Sequence, residues 1–325
     1  MKLASILAAI AGVAVTALLV AWFGAGAVLH AIRAVGIAGF VAICAVNFAL
    51  SIPLGLAWKA LLPDVAAPKA VWARLVRDSV AEALPLSQVG GYVAGARALS
   101  LTGASWSVAA ASTIVDVTLE FFAQLPYTAL GLALFVYLQP DTRLAPPILV
   151  GLLIAASAAT AFVAVQHRGF RYLDRIGGIL GVGWAERGGA GAAALHAELT
   201  GIYRRRIGLM VNFALHFACW VASAIQLWLV LWLAGAPLSF AAVRAIESLV
   251  YAIRTAGFAV PQAIGLQEGA YVVLGAGFGL SPEMALAVSL LKRGRDLATG
   301  LAVVAVWQTI EARRLLQRRG VAPSA

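Results

Sequence analysis

The chain has 325 residues, of which 62% are hydrophobic and only 12% are charged, and its mean hydropathy is +0.92. This composition is far more apolar than that of an average soluble domain, and it predicts a polytopic membrane protein. The net charge of +10 does not indicate nucleic-acid binding, because the basic residues gather in segments between apolar runs of spanning length. The two cysteines and four scattered histidines form no metal-ligand spacing. We therefore expect no metal and no other cofactor.

Six apolar runs are long enough to form transmembrane helices. They cover residues 3–23, 36–58, 104–138, 148–165 and 207–233, and a final run that ends near residue 310. The first is longer than the apolar core of a cleaved signal peptide, so we expect it to remain as a signal anchor. The long run at 104–138 contains Pro126 and several polar residues, which favours a tilted or kinked helix.

The basic residues predict the orientation of the chain. Most of the 24 lysines and arginines fall in the segments 59–78 and 166–206, in the C-terminal tail and at Lys2. The positive-inside rule then places both termini in the cytoplasm. We interpret 59–78, which contains Arg74 and Arg77, as a basic cytoplasmic loop in which Pro68 is a candidate start of a short interfacial helix. In the second segment, Leu195, Leu199 and Ile202 have helical spacing, which predicts an amphipathic piece on the membrane surface.

Two apolar stretches are interrupted by prolines, glycines and charged residues, at 80–101 and 245–296. A backbone break at bilayer depth is viable only inside protein or beside a water-filled cavity, because its amide and carbonyl groups have no other partners there. We therefore interpret 80–101 and 246–278 as two re-entrant helical hairpins. For the tail to end in the cytoplasm, the first must enter from the cytoplasm and the second from the opposite face.

A proline, a glycine and a serine recur at a spacing of 176 residues, at 85 and 261, 103 and 279, and 105 and 281. This predicts an inverted repeat, an architecture of transporters with midplane sites. At the same offset Asp116 aligns with Lys292 and Glu120 with Asp296, and we place Asp116 and Lys292 about 15 Å deep at 1.5 Å per residue. An unpaired charge there costs several kcal/mol, so we expect an acidic set from one half to face a basic set from the other.

The whole chain is therefore predicted to be one all-helical membrane domain of about six transmembrane helices and two hairpins. The first repeat half covers residues 1–138, and a span with a basic cytoplasmic loop covers 139–206. The rest of the second half covers 207–311, and a basic cytoplasmic tail covers 312–325.

The pattern E-x-x-P-x-x-Q-x-G-G is formed here by Glu82, Pro85, Gln88, Gly90 and Gly91. Together with the phrases LPLSQVGG and GLQEGAY, it resembles the hopanoid-biosynthesis-associated membrane protein family. That family belongs to a superfamily that contains the flippase domain of lysyl-phosphatidylglycerol synthases. The resemblance covers nearly the whole chain and implies a lipid-translocating or lipid-handling protein of the bacterial inner membrane. No soluble aminoacyl-transferase domain follows the last span, so we do not expect synthesis of lysyl-phosphatidylglycerol.

We predict that a polar cavity between the hairpins is lined by charged residues and by the residues at the helix breaks. They are Glu82, Pro85, Gln88, Gly90, Gly91, Arg97, Asp116, Glu120, Arg254, Pro261, Gly265, Glu268, Lys292, Arg293 and Asp296. Each glycine or proline has a competing interpretation as a helix-packing residue. Lys292, Arg293 and Arg295 either pair with buried acids or hold an anionic headgroup. Arg97 and Arg254 are likewise headgroup ligands or countercharges.

The leading hypothesis is a flippase-like transporter whose partner is a membrane lipid, either a hopanoid or an anionic phospholipid. The first alternative is an integral-membrane enzyme that modifies a lipid with Glu82 and Glu268 as its acid and base, although no motif specifies a catalytic residue. The second is an assembly factor for hopanoid-synthesis enzymes. The sequence leaves a homodimer and a contact with such enzymes open.

Overall fold

The computed structural model describes residues 25–83, 88–140, 184–257 and 260–320, and isolated positions elsewhere. These residues form helices joined by short turns and contain no strand, so the all-helical fold is confirmed. The helices are α1 (Ala25–Ala60), α2 (Ala67–Ala83), α3 (Gln88–Ser100), α4 (Trp106–Leu138), α5 (Trp184–Arg204), α6 (Arg206–Leu233), α7 (Phe240–Ala256), α8 (Leu266–Ala276) and α9 (Pro282–Gly320). The predicted spans at 3–23 and 148–165 lie wholly or mostly outside the described residues.

Three of the described helices are long and apolar enough to cross a membrane. They are Val28–Ala60, Trp106–Leu138 and Arg206–Leu233, which correspond to the predicted runs at 36–58, 104–138 and 207–233. The prediction of a membrane protein with several spans is thereby confirmed, while the count of six stays a prediction. Helix α9 carries four charged side chains between residues 292 and 296, so its apolar character is much weaker.

Glycine and serine have the same local roles before α4 and α9. Gly103 and Gly279 have φ angles of 109° and 76°, a backbone region that glycine occupies without a steric penalty. Ser105 and Ser281 each accept a hydrogen bond from the backbone N–H three residues later, at 3.2 and 3.3 Å. Such serine caps satisfy one of the free N–H groups at a helix start. The spacing of 176 residues found in the sequence therefore marks two equivalent helix starts.

Two helix pairs pack closely, α2 with α3 and α7 with α8. The second pair covers the predicted hairpin at 246–278, whereas the hairpin predicted at 80–101 includes only α3 and the last four residues of α2. The first pair begins at Ala67, beside the candidate helix start at Pro68, but α2 continues to Ala83. The interpretation of 59–78 as a loop is therefore wrong for its second half. In α2, Ala70, Ala73 and Val76 are fully buried at helical spacing, and this apolar face stabilises the helix by packing. We interpreted the charged residues of this segment as a sign of a loop, and we therefore overlooked its apolar helical face.

Helix α3 approaches α2 closely through glycine. A Cβ atom at position 91 would lie 2.6 Å from the carbonyl oxygen of Arg77 and 2.7 Å from the Cβ of Ala81. Gly91, which we predicted at a cavity, thus has a packing role in this structure. We expect Gly91→Ala to destabilise the protein by about 1–3 kcal/mol through overpacking, measured by chemical unfolding in mixed micelles. Gly269→Ala in α8 is the matched control, because a Cβ there meets nothing within 4 Å; equal stability of the two variants would contradict the packing role.

The amphipathic helix predicted near Leu195 is present as α5. Its Leu199 and Ile202 are 4% and 3% exposed, and α5 packs against α4. Its apolar face is therefore buried against protein, and the position of α5 on the membrane surface stays a prediction.

The remaining packing connects the first four helices with the last four. Helix α1 lies against α6, α4 against α6 and α7, and α9 against α1 and α2. Within the chain, α1 also packs on α2, α3 on α4, α6 on α7 and α8 on α9. These contacts bring charged side chains of α2, α4, α7 and α9, and Asn212 and His216 of α6, into the interior.

Candidate functional site

Two arginines of α2 and three acids form one network, which we call the arginine cluster: Arg74, Arg77, Asp78, Asp116 and Glu120. Arg74 donates to all three acids, at 2.6 Å to Asp78, 3.1 Å to Asp116 and 2.7 Å to Glu120. Arg77 also reaches all three, with 2.7 Å to Asp116. The planar guanidinium suits such forked contacts with carboxylates. Both arginines and Asp116 are buried.

Helix α6 closes the arginine cluster from the other side. Asn212 donates from Nδ2 to Asp116 Oδ1 at 2.7 Å, and also to the Ala57 carbonyl at 2.8 Å. The Nε2 atom of His216 lies 3.0 Å from the same Asp116 oxygen. Asp116 therefore joins α2, α4 and α6, and its charge is surrounded by donors.

The expected pairing of Asp116 and Glu120 with the basic residues near Lys292 is wrong. Both acids bind Arg74 and Arg77 instead. The sequence contains a signal for this: the two arginines are three residues apart and the two acids four apart, so each pair shares one face of its helix.

Asp116, Glu120 and His216 place three potential metal-ligand atoms within 4.8 Å of one another. Both carboxylates, however, already accept hydrogen bonds from two guanidinium groups. Two positive charges in direct contact oppose the binding of a cation at the same oxygens. We therefore assign no metal to these residues.

The second half of the chain has its own buried pair, Glu247 of α7 with Lys292 of α9. Tyr271 of α8 donates to Glu247 at 2.7 Å and accepts from Lys292 at 2.8 Å. The lysine ammonium also lies 5.0 Å from the centre of the Tyr251 ring, within the range of a cation–π contact. Lys292 is thus a countercharge in this structure, and sequence reasoning missed its partner Glu247.

Arg293 and Glu268 organise the break between α7 and α8. Glu268 is fully buried and accepts from Arg293 Nε at 2.6 Å and from the backbone N–H of Gly265 at 2.7 Å. Arg293 also donates to the carbonyl groups of Gln262 and Ala263, at 3.2 and 3.3 Å. Gln262 and Ala263 have φ angles of 56° and 47°, a region that side-chain-bearing residues rarely adopt. The ion pair therefore holds a strained turn in place.

The ends of α2 and α7 meet at a place that we call the junction. Glu82 of α2 pairs with Arg254 of α7 at 3.3 Å, with 31% and 13% of their side chains exposed. Gln262 Nε2, in the second break, donates to the Ala81 carbonyl at 2.6 Å. The junction therefore joins the two helix pairs through polar contacts that are partly open.

Two charged residues of α9 lie beside the junction. Arg295 donates to the neighbouring Asp296 at 2.9 Å, and both residues lie within electrostatic range of Glu82. The Nη1 atom of Arg295 is buried and has no hydrogen-bond partner among the described residues. Two acids and two arginines thus gather where the helix pairs meet.

A family model described as "Lysylphosphatidylglycerol synthase TM region" matches residues 9–303. The chain belongs to this family. No curated protein and no solved structure matches the chain. Membership in the lysylphosphatidylglycerol synthase TM region family confirms the wider resemblance and connects the chain with membrane lipid. The narrower hopanoid-associated group stays a prediction.

In this member of the lysylphosphatidylglycerol synthase TM region family, five predicted site residues remain to be placed. They either lie away from the junction or have side chains that the structure does not describe. Arg97 is 42% exposed and binds Glu311 at 3.0 Å, so its partner is not one of the buried acids. Pro85 lies outside the described residues, and the side chains of Gln88 and Pro261 are not described either. Gly90 lies in α3, next to the packing contact of Gly91.

Proposed function

We propose that this protein moves a lipid between the leaflets of a bacterial inner membrane, in the manner of a flippase. The lipid headgroup passes through the junction while the acyl or polycyclic part stays in hydrocarbon. The substrate is a hopanoid or another polar-headed lipid, and both chain termini are cytoplasmic. Family membership supports the link to lipid, and the positive-inside rule supports the orientation.

The proposed architecture is an inverted repeat with re-entrant hairpins. The helix contacts support it. If α1 corresponds to α6, α2 to α7, α3 to α8 and α4 to α9, then every contact between two of these eight helices has a counterpart between the two corresponding helices. For example, α4 packs on α7 as α9 packs on α2, and α4 packs on α6 as α9 packs on α1. Transporters of this design place the substrate near the midplane, between the two repeats.

The observation that carries the proposal is the position and exposure of the Glu82–Arg254 pair. The other buried acids are enclosed by their own partners: Asp116 by two arginines, and Glu247 by Lys292. Glu82 keeps 31% of its side chain exposed at the junction, where Gln262 of the second break donates to the Ala81 carbonyl of α2. A polar headgroup that enters between the repeats finds its first charged partners there.

The enzyme alternative needs Glu82 and Glu268 to work as an acid and base pair. Glu268 is fully buried and bonded to Arg293, Ser289 and Gly265, while Glu82 pairs with Arg254. Both carboxylates are therefore engaged separately. This favours transport over catalysis.

The test is lipid translocation in proteoliposomes. The fluorescent probe is phosphatidylglycerol or a hopanoid analogue in the inner leaflet, and an external quencher reports the rate at which it reaches the outer leaflet. We expect this rate to be higher in vesicles with wild-type protein than in empty vesicles. Glu82→Gln and Arg254→Gln should each slow this exchange about tenfold, which corresponds to about 1.4 kcal/mol of barrier. The physical reason is that each change removes one of the two charges that meet the headgroup.

Arg97→Gln is the matched control, because Arg97 pairs with Glu311 outside the junction and this variant should keep the wild-type rate. All variants must show the same unfolding midpoint as wild type before the rates are compared. The proposal fails if folded Glu82→Gln and Arg254→Gln protein both translocate as fast as wild type. New lipid species in place of altered leaflet distribution would support the enzyme, and full activity of every charge variant in a cell would support the assembly factor.

A further inference from the structure

Two buried charge pairs occupy equivalent positions in the two halves of the proposed repeat. Arg74 of α2 and Glu247 of α7 each lie seven residues after the first residue of their helix. Asp116 of α4 and Lys292 of α9 each lie ten residues after the first residue of theirs. Arg74 binds Asp116 at 3.1 Å, and Lys292 binds Glu247. Each half therefore joins the same two elements with an ion pair, but the positive and negative residues are exchanged.

A tyrosine beside each pair also recurs. The pattern Q-x-G-x-Y-V occurs in both α3 and α8, and its tyrosines are Tyr92 and Tyr271. The centre of the Tyr92 ring lies 5.4 Å from the guanidinium carbon of Arg77, and that of Tyr271 lies 5.6 Å from the ammonium of Lys292. Both distances are within the range of cation–π contacts. We call Glu247, Tyr271 and Lys292 the lysine cluster, the counterpart of the arginine cluster in the second half.

Helix α4 passes the arginine cluster first and the junction second. Asp116 belongs to the arginine cluster, and Gln124 lies eight residues later in α4, which is about 12 Å along a helix. Gln124 and Thr255 exchange hydrogen bonds at 2.8 and 3.1 Å. Thr255 directly follows Arg254 of the junction in α7. The arginine cluster therefore lies to one side of the junction, toward the start of α4.

Farther along, α4 reaches the level of the lysine cluster. A Cβ atom at Gly131 would lie 2.6 Å from the Cβ of Ser248, which directly follows Glu247 in α7. Gly131 lies about 10 Å beyond Gln124 along the helix. The order along α4 is thus arginine cluster, junction and lysine cluster. Because α4 is long enough to cross a membrane, one cluster lies between the junction and each membrane face.

The close helix contacts define two units that face each other across these clusters. Helix α2 packs closely on α9, and α4 packs closely on α7. Helix α1 packs on both members of the first unit, and α6 packs on both members of the second. Each unit therefore combines one helix of a helix pair with one long helix from the other half of the proposed repeat.

Long charged side chains bridge the gaps between the two units. Among the described helices, α2 does not pack closely on α4, and α7 does not pack closely on α9. Instead, Arg74 and Arg77 reach Asp116 across the first gap, which we call the arginine seam. Lys292 reaches Glu247 across the second gap, the lysine seam. The α2–α9 unit carries the cations of these contacts and the α4–α7 unit carries the anions, so attraction between the same two units closes both seams.

We propose that the arginine and lysine clusters are the two gates of the headgroup path, and that each gate closes the junction toward one membrane face. Both gates are closed in this structure, because Arg74, Asp116, Glu247 and Lys292 are at most 2% exposed. Rocking of the α2–α9 unit against the α4–α7 unit opens one seam while the other stays closed, the motion by which repeat-built transporters alternate access. Water that enters an open seam solvates the parted charges.

The test measures from which membrane face the junction can be reached. The reporter is Thr255→Cys at the junction, in protein that also carries Cys44→Ala and Cys219→Ala in place of the two native cysteines. A charged maleimide that does not cross the membrane is added to right-side-out vesicles and to inside-out vesicles. The rate of labelling from each face reports how often the gate on that face is open.

We expect the double variant Arg74→Met with Asp116→Asn to raise the labelling rate about tenfold from one face only, because an open state of minor population becomes more populated. Glu247→Gln with Lys292→Met should raise the rate by a similar factor from the opposite face only. Each double variant removes one charge of each sign, so neither changes the net charge of its cluster. Under the proposed orientation, the arginine gate faces the cytoplasm.

Two single variants apply the same test with a smaller change to the packing. Tyr271→Phe removes the hydroxyl that bonds both Glu247 and Lys292. Arg77→Lys removes the planar fork that reaches across the arginine seam. Each should raise labelling about threefold from the same face as the double variant of its own cluster. These variants decide the question if a double variant does not fold.

The matched control is Arg97→Gln with Glu311→Gln, which removes an ion pair away from the junction and should leave labelling from both faces unchanged. The proposal is overturned if the two cluster variants raise labelling from the same face, or if either variant raises it equally from both faces. Unchanged labelling in folded variants of both clusters would also overturn it.

The role of the gates in lipid movement rests on the proposed function, whereas the alternate opening of the two seams does not. If wild-type protein moves no lipid in proteoliposomes but labelling follows the expected pattern, only the proposed function fails. If wild-type protein moves lipid while labelling does not depend on the two clusters, only the gates fail.

Discussion

Arg77→Met is expected to destabilise the protein by about 3–5 kcal/mol, the usual cost of removing one partner from a buried ion pair. Arg77 is 4% exposed and donates to Asp78, Asp116 and Glu120. Methionine keeps the length of the apolar stem of arginine and lacks the guanidinium. Three carboxylates would then share Arg74, and the network would carry two excess negative charges. The measurement is the free energy of unfolding in mixed micelles.

Two further variants distinguish charge from geometry. Arg77→Lys restores the charge without the planar fork, so we expect a stability between those of Arg77→Met and wild type. Arg97→Met is the control at an exposed pair, where the loss should stay within about 1 kcal/mol. Equal losses for Arg77→Met and Arg97→Met would mean that the arginine cluster does not stabilise the fold.

The sequence predicted the helical class and the three apolar spans, and the glycine and serine that recur at 176 residues proved to mark the helix starts at Ser105 and Ser281. Each of these depends on local information: the length of an apolar run, a helix cap or a glycine that permits a left-handed backbone. The break near residue 261 was also found from local residue types, while residues 84–87 lie outside the described part of the chain. The carbonyl groups of Gln262 and Ala263 accept hydrogen bonds from Arg293, which agrees with the expectation that a broken backbone needs partners inside protein.

The partners of the buried charges were predicted less well. Arg74 and Arg77 were assigned to a loop because the segment 59–78 is rich in charge, although Ala70, Ala73 and Val76 in the same segment follow the period of a helix. Asp116 and Lys292 were expected to face each other because they align at one offset and lie at similar depth. Depth and offset place a residue along the membrane normal, but they do not specify which neighbouring helix it faces.

His216 and Glu247 show a second limit of sequence reasoning. Neither belongs to a motif, and the histidines are scattered along the chain. Their importance comes from their surroundings, a carboxylate at 3.0 Å for His216 and a lysine and a tyrosine for Glu247. Such environments exist only after the helices pack.

Lys292→Met is expected to cost about 3–5 kcal/mol of unfolding free energy, because it leaves Glu247 buried without its countercharge. Glu247 is 0% exposed and would keep only the hydrogen bond from Tyr271. In the double variant Lys292→Met with Glu247→Gln, the glutamine can still accept from Tyr271 and no net charge is buried. We therefore expect the double variant to be more stable than Lys292→Met alone, since neutral replacement of both partners is often tolerated.

A double-mutant cycle measures this dependence directly. Coupling between positions 247 and 292 should fall within the range of about 0.5–3 kcal/mol found for residues in contact. The matched cycle combines Lys292→Met with Asp116→Asn, the pair that the sequence suggested across the two halves. There we expect additivity within about 0.5 kcal/mol, because Asp116 is held by Arg74 and Arg77. Strong coupling of Lys292 with Asp116, and none with Glu247, would show that the charges pair across the halves, contrary to the arrangement of α4, α7 and α9 described here.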